Sequence, residues 1–245
     1  MHVVMKSLNE AKSVRRCIGD FHDETWVDQI VVVDCYSSDF TVHELKQFPK
    51  VVVHQHEYRP DYHDAEIIAA NIMHSYVPIG DIFLMLDFDE RLNDPLKAFL
   101  ADVNNKNELP EGADLVHIAR RTIDIIRYED SPFAMLGPDG WPYVKCQIGS
   151  WPDYQPRLFR RSCEIHWVQS PHRTAIGFKK NFNLNTDCFL LHYEKDDYRD
   201  REWIERRWLR PNAARKILGL PCDLYETGAK PEYAEAADPA YWRDK

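Results

Sequence analysis

The sequence has no long apolar segment, no signal-peptide core and no excess of positive charge. No run approaches the roughly 18 to 20 apolar residues that a membrane helix needs, and the start, MHVVMKSLNE, lacks the apolar stretch of a signal peptide. The 40 acidic residues outnumber the 31 basic ones, so no nucleic-acid partner is expected. We predict a cytoplasmic protein without a transmembrane segment, and the arginine-rich segment 199–216 leaves open a weak peripheral contact with a membrane.

The chain also lacks any paired arrangement of cysteines. There are 6 cysteines, with no CxxC and no Cys/His spacing, which argues against both a zinc site and a disulfide framework. Free cysteine usually packs as a small apolar residue, so we expect reduced and mostly buried thiols. They are Cys17, Cys35, Cys146, Cys163, Cys188 and Cys222.

The sequence does contain enough apolar residues for a core, and they follow an α/β pattern. Apolar residues make up 44% of the chain. In the first 95 residues, continuous Val/Ile/Leu runs alternate with helical patterns, which predicts parallel strands buried on both faces and joined by right-handed crossovers. After about residue 113 the strand-like segments have no helices between them, so we predict a mixed or antiparallel extension of this Rossmann-like sheet.

One apolar run leads directly into three carboxylates. In IFLMLDFDERL, residues 82–92, the predicted strand is followed by Asp87, Asp89 and Glu90. Ligands of parallel sheets bind beyond the carboxyl ends of the strands, and carboxylate oxygens suit Mg²⁺ or Mn²⁺. The D-x-D pair alone is uninformative in a chain rich in aspartate, but three carboxylates after a buried strand repel one another unless a cation or hydrogen-bond donors satisfy them. We predict a divalent metal here.

Two more predicted strands end in polar residues. Asp34 closes the run in VVVDCYSSDFT, where Ser37 follows in the next turn, and turn chemistry alone explains such residues about as well as ligand binding does. Ser7, Asn9 and Glu10 stand between the first strand and a predicted helix. They are candidates either for a ligand pocket or for capping that helix.

In this order and spacing, the motifs resemble the family 2 glycosyltransferases with the GT-A fold. The matching motifs are Asn9-Glu10, VVVDCYSSDFT, Ala70-Asn71 and LMLDFDE. Downstream, WPDYQPRLFRR and IHWVQSPH are similar to the subgroup that includes lipopolysaccharide-core glucosyltransferases. The resemblance covers roughly residues 3–195. It implies a GT-A domain over 1–220, with a nucleotide-binding half at 1–95 and an acceptor half at 96–220, followed by a tail at 221–245.

The resemblance also implies roles for individual residues. A divalent metal, Mn²⁺ or Mg²⁺, would be held by Asp87 and Asp89, directly or through water, with His192 as a further ligand unless it is simply satisfied within its strand. Arg157 and Trp151 are candidates for contacting the acceptor or a phosphate. Asp153 and His172 are the candidates for the catalytic base. The pocket for the nucleotide-sugar would be lined by Ser7, Asn9, Glu10, Asp34, Ser37, Asn71 and Asp87.

Some positions depart from the family pattern. Cys35 and Tyr36 replace the small or acidic residues that usually follow the aspartate of the second strand, and Ala70 stands where an arginine is usual. Arg173 follows His172 where the family has a glutamate, so that glutamate is missing from the position expected for the base.

These observations lead to one main hypothesis and two alternatives. The main one is a metal-dependent, inverting glycosyltransferase of polysaccharide biosynthesis. It would move a hexose from a nucleotide-diphosphate sugar to a saccharide, a lipid-linked saccharide or another hydroxyl acceptor. A nucleotidyltransferase is an alternative, although SLNEAKSV contains no glycine for a phosphate loop. A catalytically degenerate protein that binds a nucleotide-sugar or glycan is the other. The oligomeric state is not predicted.

Overall fold

The computed structural model of the chain describes residues 1–57, 65–124, 134–136, 142–144, 151–168 and 174–194. The helices are α1 (Ala11–Ile18), α2 (Thr41–Leu45), α3 (Ala65–Ser75) and α4 (Asp94–Lys106), with a 3₁₀ turn at Pro110–Gly112. The strands are β1 (His2–Ser7), β2 (Gln29–Asp34), β3 (Val51–Gln55), β4 (Ile82–Leu86), β5 (Glu90–Leu92), β6 (Leu115–Asp124), β7 (Ala134–Leu136), β8 (Pro142–Val144), β9 (Asp153–Arg160), β10 (His166–Val168), β11 (Thr174–Ile176), β12 (Asn181–Asn183) and β13 (Phe189–Glu194).

Nine strands form one sheet in the order β3-β2-β1-β4-β9-β6-β13-β5, with β12 added beside the first part of β6. Strands β1 to β4 pair in parallel. Beyond them β9 is antiparallel to both β4 and β6, β13 is parallel to β6, and β5 is antiparallel to β13. This arrangement confirms the predicted α/β fold, with a mostly parallel sheet and a mixed extension.

Apolar side chains cover both faces of the sheet. Alternate residues of each strand point to opposite faces, so β4, which is buried at every position, contributes to two core layers. Leu84 packs in one layer with α1 and α4, whereas Phe83 packs in the other with α3 and Trp167. Burial on both faces explains why these strands are continuous apolar runs instead of alternating ones.

Helix α4 begins at Asp94, directly after a capping asparagine. Asn93 is its N-cap and accepts a hydrogen bond from Leu96 N at 3.1 Å, with proline in the first turn. The Asn93 side chain also accepts from Phe189 N and donates to the Asp187 carbonyl. Asn93 therefore caps α4 and also links this helix to the start of β13.

Two short elements were not predicted. Helix α2 forms in the polar segment after β2, and Glu90 to Leu92 form strand β5 instead of a turn. Strand β5 exists because it pairs with β13, about 100 residues away in the sequence, and no local pattern of three residues indicates such a partner.

Of the four described cysteines, all are free thiols; Cys17 and Cys35 are buried, Cys188 is half-buried and Cys163 is exposed. Two of the four are therefore buried, whereas most were expected to be; Cys146 and Cys222 lie outside the described residues. Within the described ranges, no helix has both the length and the apolar character required to cross a membrane. The predicted tail at 221–245 lies outside the described residues, and the domain limits stay predictions.

Candidate functional site

The carboxyl ends of β1, β2, β4 and β6 lie at one edge of the sheet. Because β9 runs antiparallel to β4 and β6, its first residues also lie at that edge. The topology thus brings together polar residues from distant parts of the sequence. They fall into two groups, one around Asp34 and one around residues 87–90, which we call the acidic turn.

The acidic turn is closed by hydrogen bonds between its two ends. Asp87 N donates to Glu90 Oε2 at 3.1 Å, and Glu90 N donates to the Asp87 carbonyl at 3.1 Å. From α1, the Cys17 thiol donates to the carbonyl of Glu90 at 3.3 Å. Burial raises the pKa of this thiol well above its usual range, and nearby carboxylates raise it further. Cys17 is therefore a neutral donor beneath the turn.

Arg157 of β9 lies beneath the acidic turn and binds two of its carboxylates. Its Nη2 donates to Asp87 Oδ2 at 2.9 Å and forms a second, short ion pair with Glu90 Oε1. Its side chain is 4% exposed, and that of Glu90 is fully buried. Burial disfavours the charged form of the guanidinium, but the negative charges and hydrogen bonds of Glu90 and Asp87 outweigh this effect and raise the pKa of Arg157. The sequence predicted contact with acceptor or phosphate, whereas the structure shows a buried bridge.

Glu90 is the least accessible carboxylate of the turn. Burial raises its pKa above the usual value, Arg157 opposes that shift, and the charges of Asp87 and Asp89 add to it. Arg120 of β6 also acts on Glu90 through its charge. A buried carboxylate next to two others requires such a cation.

Asp89 and His192 form the second part of the cluster. His192 lies opposite Glu90 in the pairing of β13 with β5, and its Nε2 is 3.6 Å from Asp89 Oδ2. The side chains are 13% and 6% exposed, respectively. Within the described part of the chain, no three His, Cys, Asp or Glu side chains form a group that could hold a metal ion. An oxygen and an imidazole ligand do meet here, and both suit Mn²⁺.

Asp34 is fully buried and accepts four hydrogen bonds. Oδ1 accepts from the hydroxyls of Ser7, at 2.8 Å, and of Ser37, at 2.5 Å. Oδ2 accepts from Ser37 N at 2.9 Å and from Gln55 Nε2 at 3.3 Å. Because four donors saturate a carboxylate, Asp34 fixes the ends of β1, β2 and β3 relative to one another.

Two loops next to Asp34 are linked by hydrogen bonds. Asn9 N donates to the Ser37 hydroxyl at 2.9 Å, and Ser38 N donates to Asn9 Oδ1 at 2.9 Å. Glu10 N donates to Thr41 Oγ1 at 2.7 Å. Asn9 and Tyr36 both adopt positive φ values, of 56° and 50°, which are uncommon for residues other than glycine. The Tyr36 side chain is nevertheless largely exposed.

Asp39, in the loop between β2 and α2, caps the start of helix α1. Its carboxylate accepts from Ala11 N at 3.2 Å and from Thr41 N at 2.9 Å. Burial works against ionisation, but these hydrogen bonds and that of the Thr41 hydroxyl outweigh it and lower the pKa of Asp39. Capping thus accounts for the acidic residue of this turn.

The residues proposed for the acceptor side lie near the start of β9. Asp153 accepts from Arg120, at 2.8 Å, and from Gln155 Nε2, at 2.7 Å. Trp151 is half-buried and packs edge-on against Phe189. The Arg121 guanidinium lies 4.8 Å from the centre of the Trp151 ring.

The structure gives Asn71 an anchoring role. Its side chain donates to the Trp167 carbonyl at 3.1 Å and accepts from Trp167 N at 3.0 Å, which fixes β10 to α3. Ala70, which stands where the family that the sequence resembles usually has an arginine, is buried in the core between α3 and the sheet. His172 and Arg173 lie outside the described residues, so their predicted roles stay untested.

Sequence reasoning missed several residues of the site. Cys17 donates to the backbone of the acidic turn, Gln55 donates to Asp34, and Arg120 acts on Glu90 through its charge. The ion pair between Glu90 and Arg157 was not predicted either. A buried arginine in the apolar strand QPRLF was the one available signal, since such a residue needs a carboxylate partner.

Comparisons with known proteins address the fold. No family model matches the chain, and no match is found among curated proteins. A mannosyltransferase from Pyrobaculum calidifontis, solved with GDP-Man and Mn²⁺, has a TM-score of 0.51 at 13% identity, over 96% of this chain and 67% of that one. S. aureus TarS 1-349, solved with UDP, has a TM-score of 0.48 at 14% identity, over 93% and 67% of the two chains. Together with the sheet topology, the mannosyltransferase shows that the chain has the GT-A fold.

Proposed function

We propose that the chain is a metal-dependent, inverting glycosyltransferase that uses a nucleotide-diphosphate sugar as donor and a hydroxyl group, such as that of a saccharide, as acceptor. The observation that carries the proposal is the approach of Asp89 to His192 in the acidic turn, at the same carboxyl edge of the sheet as the Asp34 network. Ligands of open α/β sheets bind at this edge. The similar mannosyltransferase was solved with GDP-Man and Mn²⁺.

In this proposal the Asp34 network forms the nucleotide end of the site. Asp34 holds the hydroxyls of Ser7 and Ser37, and these residues line the pocket together with Asn9 and Glu10. Since four donors already bind the buried Asp34 carboxylate, it acts mainly by orienting its neighbours. Direct contact between Asp34 and the nucleotide-sugar would require one of those hydrogen bonds to break.

The residues present fit a divalent cation as a partial ligand set. Asp89 and His192 would hold it, and with no third protein ligand converging among the described residues, diphosphate oxygens and water would complete the coordination. A bound cation would neutralise negative charge on the departing nucleoside diphosphate. Arg157 remains beneath the turn, where it offsets part of the charge of the three carboxylates.

The chemistry on the acceptor side needs a base. The acceptor oxygen bonds to the anomeric carbon as the bond from that carbon to the diphosphate breaks, and a base takes the hydroxyl proton. Asp153, held by Arg120 and Gln155 at the edge of the site, is the described candidate, and His172 is the other. Trp151 offers an aromatic face against which a sugar could stack.

The test is calorimetric titration of UDP, GDP and CMP into the protein, with and without Mn²⁺. We expect one nucleotide to bind in a Mn²⁺-dependent manner, and Asp89→Ala to abolish that dependence. The matched control is Asp102→Ala, because the Asp102 side chain is 55% exposed on α4 and pairs only with Lys106 among the contacts described. If no nucleotide binds under any condition, the proposed function is wrong.

A second measurement separates the enzyme from the alternatives. Release of free sugar from the matching nucleotide-sugar, followed by NMR to identify the anomer first formed, would establish turnover and its stereochemistry. Binding without any turnover would support the degenerate binding protein. Formation of a nucleotide-sugar from a sugar phosphate and a nucleoside triphosphate would support the nucleotidyltransferase.

A further inference from the structure

Tyr36, in the loop between β2 and α2, has a backbone conformation that bulky residues rarely adopt. Its φ is 50°, in the left-handed region, where the Cβ of an L-residue lies too close to the following carbonyl oxygen. The residue is nevertheless 60% exposed. Within the part of the chain that the structure describes, its side chain takes part in no hydrogen bond, ring contact or ion pair. Packing of the ring therefore does not offset the cost of this conformation.

Hydrogen bonds on both sides of Tyr36 keep its backbone in place. Cys35 N donates to the carbonyl of Ser7 at 2.9 Å, and Ser37 N donates to Asp34 Oδ2 at 2.9 Å. Cys35 and Asp34 are themselves buried. The surrounding structure thus fixes the direction in which the ring leaves the loop. Strained residues that are held in this way occur mainly at ligand sites and switches.

These hydrogen bonds also place Tyr36 at the carboxyl edge of the sheet. Ser7 ends β1, Asp34 ends β2, and the two residues are partners in the parallel pairing of these strands. Ligands of open α/β sheets bind beyond this edge, and the proposed function assigns the Asp34 network to the nucleotide. An exposed ring two residues after Asp34 therefore stands beside the space that the nucleotide would occupy.

We propose that Tyr36 is a binding residue whose ring stacks on the heteroaromatic base of the nucleotide. This inference rests on the proposed function and names the group that holds the base. Every base has a π-face, so stacking on Tyr36 adds affinity without selecting one base. A tyrosine side chain has few torsions to immobilise, so little conformational entropy is lost when the base binds. The ring gains its packing partner only in the complex, and this gain offsets the strain at Tyr36.

The first test is calorimetric titration, in the presence of Mn²⁺, of whichever of UDP, GDP and CMP binds to the wild type. Tyr36→Ala is expected to weaken binding by about 10-fold, the size of effect seen when a base loses its stacking partner. Tyr36→Phe keeps the ring, so its affinity is expected to stay within about 3-fold of the wild type.

The matched control is Phe40→Ala. Phe40 lies in the same loop and is 74% exposed, but its φ is -77° and its ring contacts His43 of α2. Nucleotide affinity is expected to stay within about 3-fold of the wild type. A loss equal to that of Tyr36→Ala would overturn the inference, because removal of any aromatic residue from the loop would then have the same effect.

The second test uses the sign of the stability change. Tyr36→Gly removes the ring and also relieves the backbone, since glycine adopts positive φ without steric cost. We expect the nucleotide to bind about 10-fold more weakly, while Tm without ligand stays the same or rises. If Tyr36 instead served to hold the loop together, Tm would fall along with the affinity, and that result would overturn the inference.

Inorganic pyrophosphate separates the base from the diphosphate. It has no base, so its titration in the presence of Mn²⁺ should not distinguish Tyr36→Ala from the wild type, and a parallel loss would overturn the inference. Nucleotide affinity within about 3-fold of the wild type in both Tyr36→Ala and Tyr36→Gly would overturn it as well, and would leave the proposed function in place. Absence of nucleotide binding by the wild type would overturn both.

Discussion

The single substitution Arg157→Met tests how the buried charges at the site are balanced. It removes a guanidinium that is 4% exposed and leaves Glu90, which is fully buried, without its direct ion-pair partner. Breaking a buried pair by removing one member typically costs about 3 to 5 kcal/mol. For a chain of this size, each kcal/mol lowers Tm by about 2 to 4 °C, so we expect Tm to fall by about 6 to 20 °C.

The loss should depend on pH in a defined direction. In the wild type, burial raises the pKa of Glu90 and Arg157 opposes the shift, so removing Arg157 raises this pKa further. In this variant, at pH values between the ordinary pKa of a glutamate and the raised pKa of Glu90, the folded state keeps a proton on Glu90 that the unfolded state has lost. Stability then falls as pH rises through that window. The deficit of Arg157→Met should therefore be smallest near pH 5 and largest near pH 8.

The assay is urea unfolding of the wild type, Arg157→Met and Arg157→Met/Glu90→Gln at several pH values. The double variant should recover most of the lost free energy of unfolding and should show a weaker pH dependence, since Glu90 no longer titrates. A loss in Arg157→Met that is equal at pH 5 and pH 8 would refute the argument. So would a double variant that is less stable than the single one.

Three further outcomes are expected. Asp34→Asn should lower the free energy of unfolding by about 1 to 3 kcal/mol and weaken nucleotide binding. The reason is that the amide NH₂ introduced by the substitution would face hydrogen-bond donors that the carboxylate oxygen now accepts from. Unchanged titration and unfolding curves would contradict this prediction. Asn93→Ala should cost about 2 to 3 kcal/mol in urea unfolding, since it removes both the α4 cap and a buried acceptor for the backbone of β13. Gly177→Ala should lower Tm more than Gly80→Ala: both have positive φ, but a Cβ at Gly177 would lie 1.9 Å from the carbonyl oxygen of Glu164, whereas at Gly80 it meets open space.

The sequence predicted the sheet well because the signals are local. Runs such as IFLML are buried at every position, and burial on both faces is what a parallel strand requires. The start of α4 was equally predictable, since Asn93 and the following Asp-Pro are residues preferred at that end of a helix. Asp34, Asp87 and Asp89 are predicted to be site residues because each follows an apolar run or lies just beyond one, at the edge where ligands of such sheets bind.

The partners of those carboxylates were not predictable from local patterns. Arg157 meets Asp87 and Glu90 only because β9 returns antiparallel beside β4, and β5 exists only because β13 pairs with it. Asn71 fits the family motif by position, yet its side chain holds the backbone of Trp167, 96 residues away.

The sequence by itself thus determined the α/β class and the parallel pairing of the early strands, and it predicts where a ligand would bind. These follow from hydrophobic periodicity and from capping, which act over a few residues. Only the tertiary structure decided that Asp34 is enclosed by four donors and that Arg157 pairs with both Asp87 and Glu90. Most of these contacts join segments about 20 to 100 residues apart in the sequence, and the electrostatic free energy of a carboxylate is set by its burial and by those neighbours.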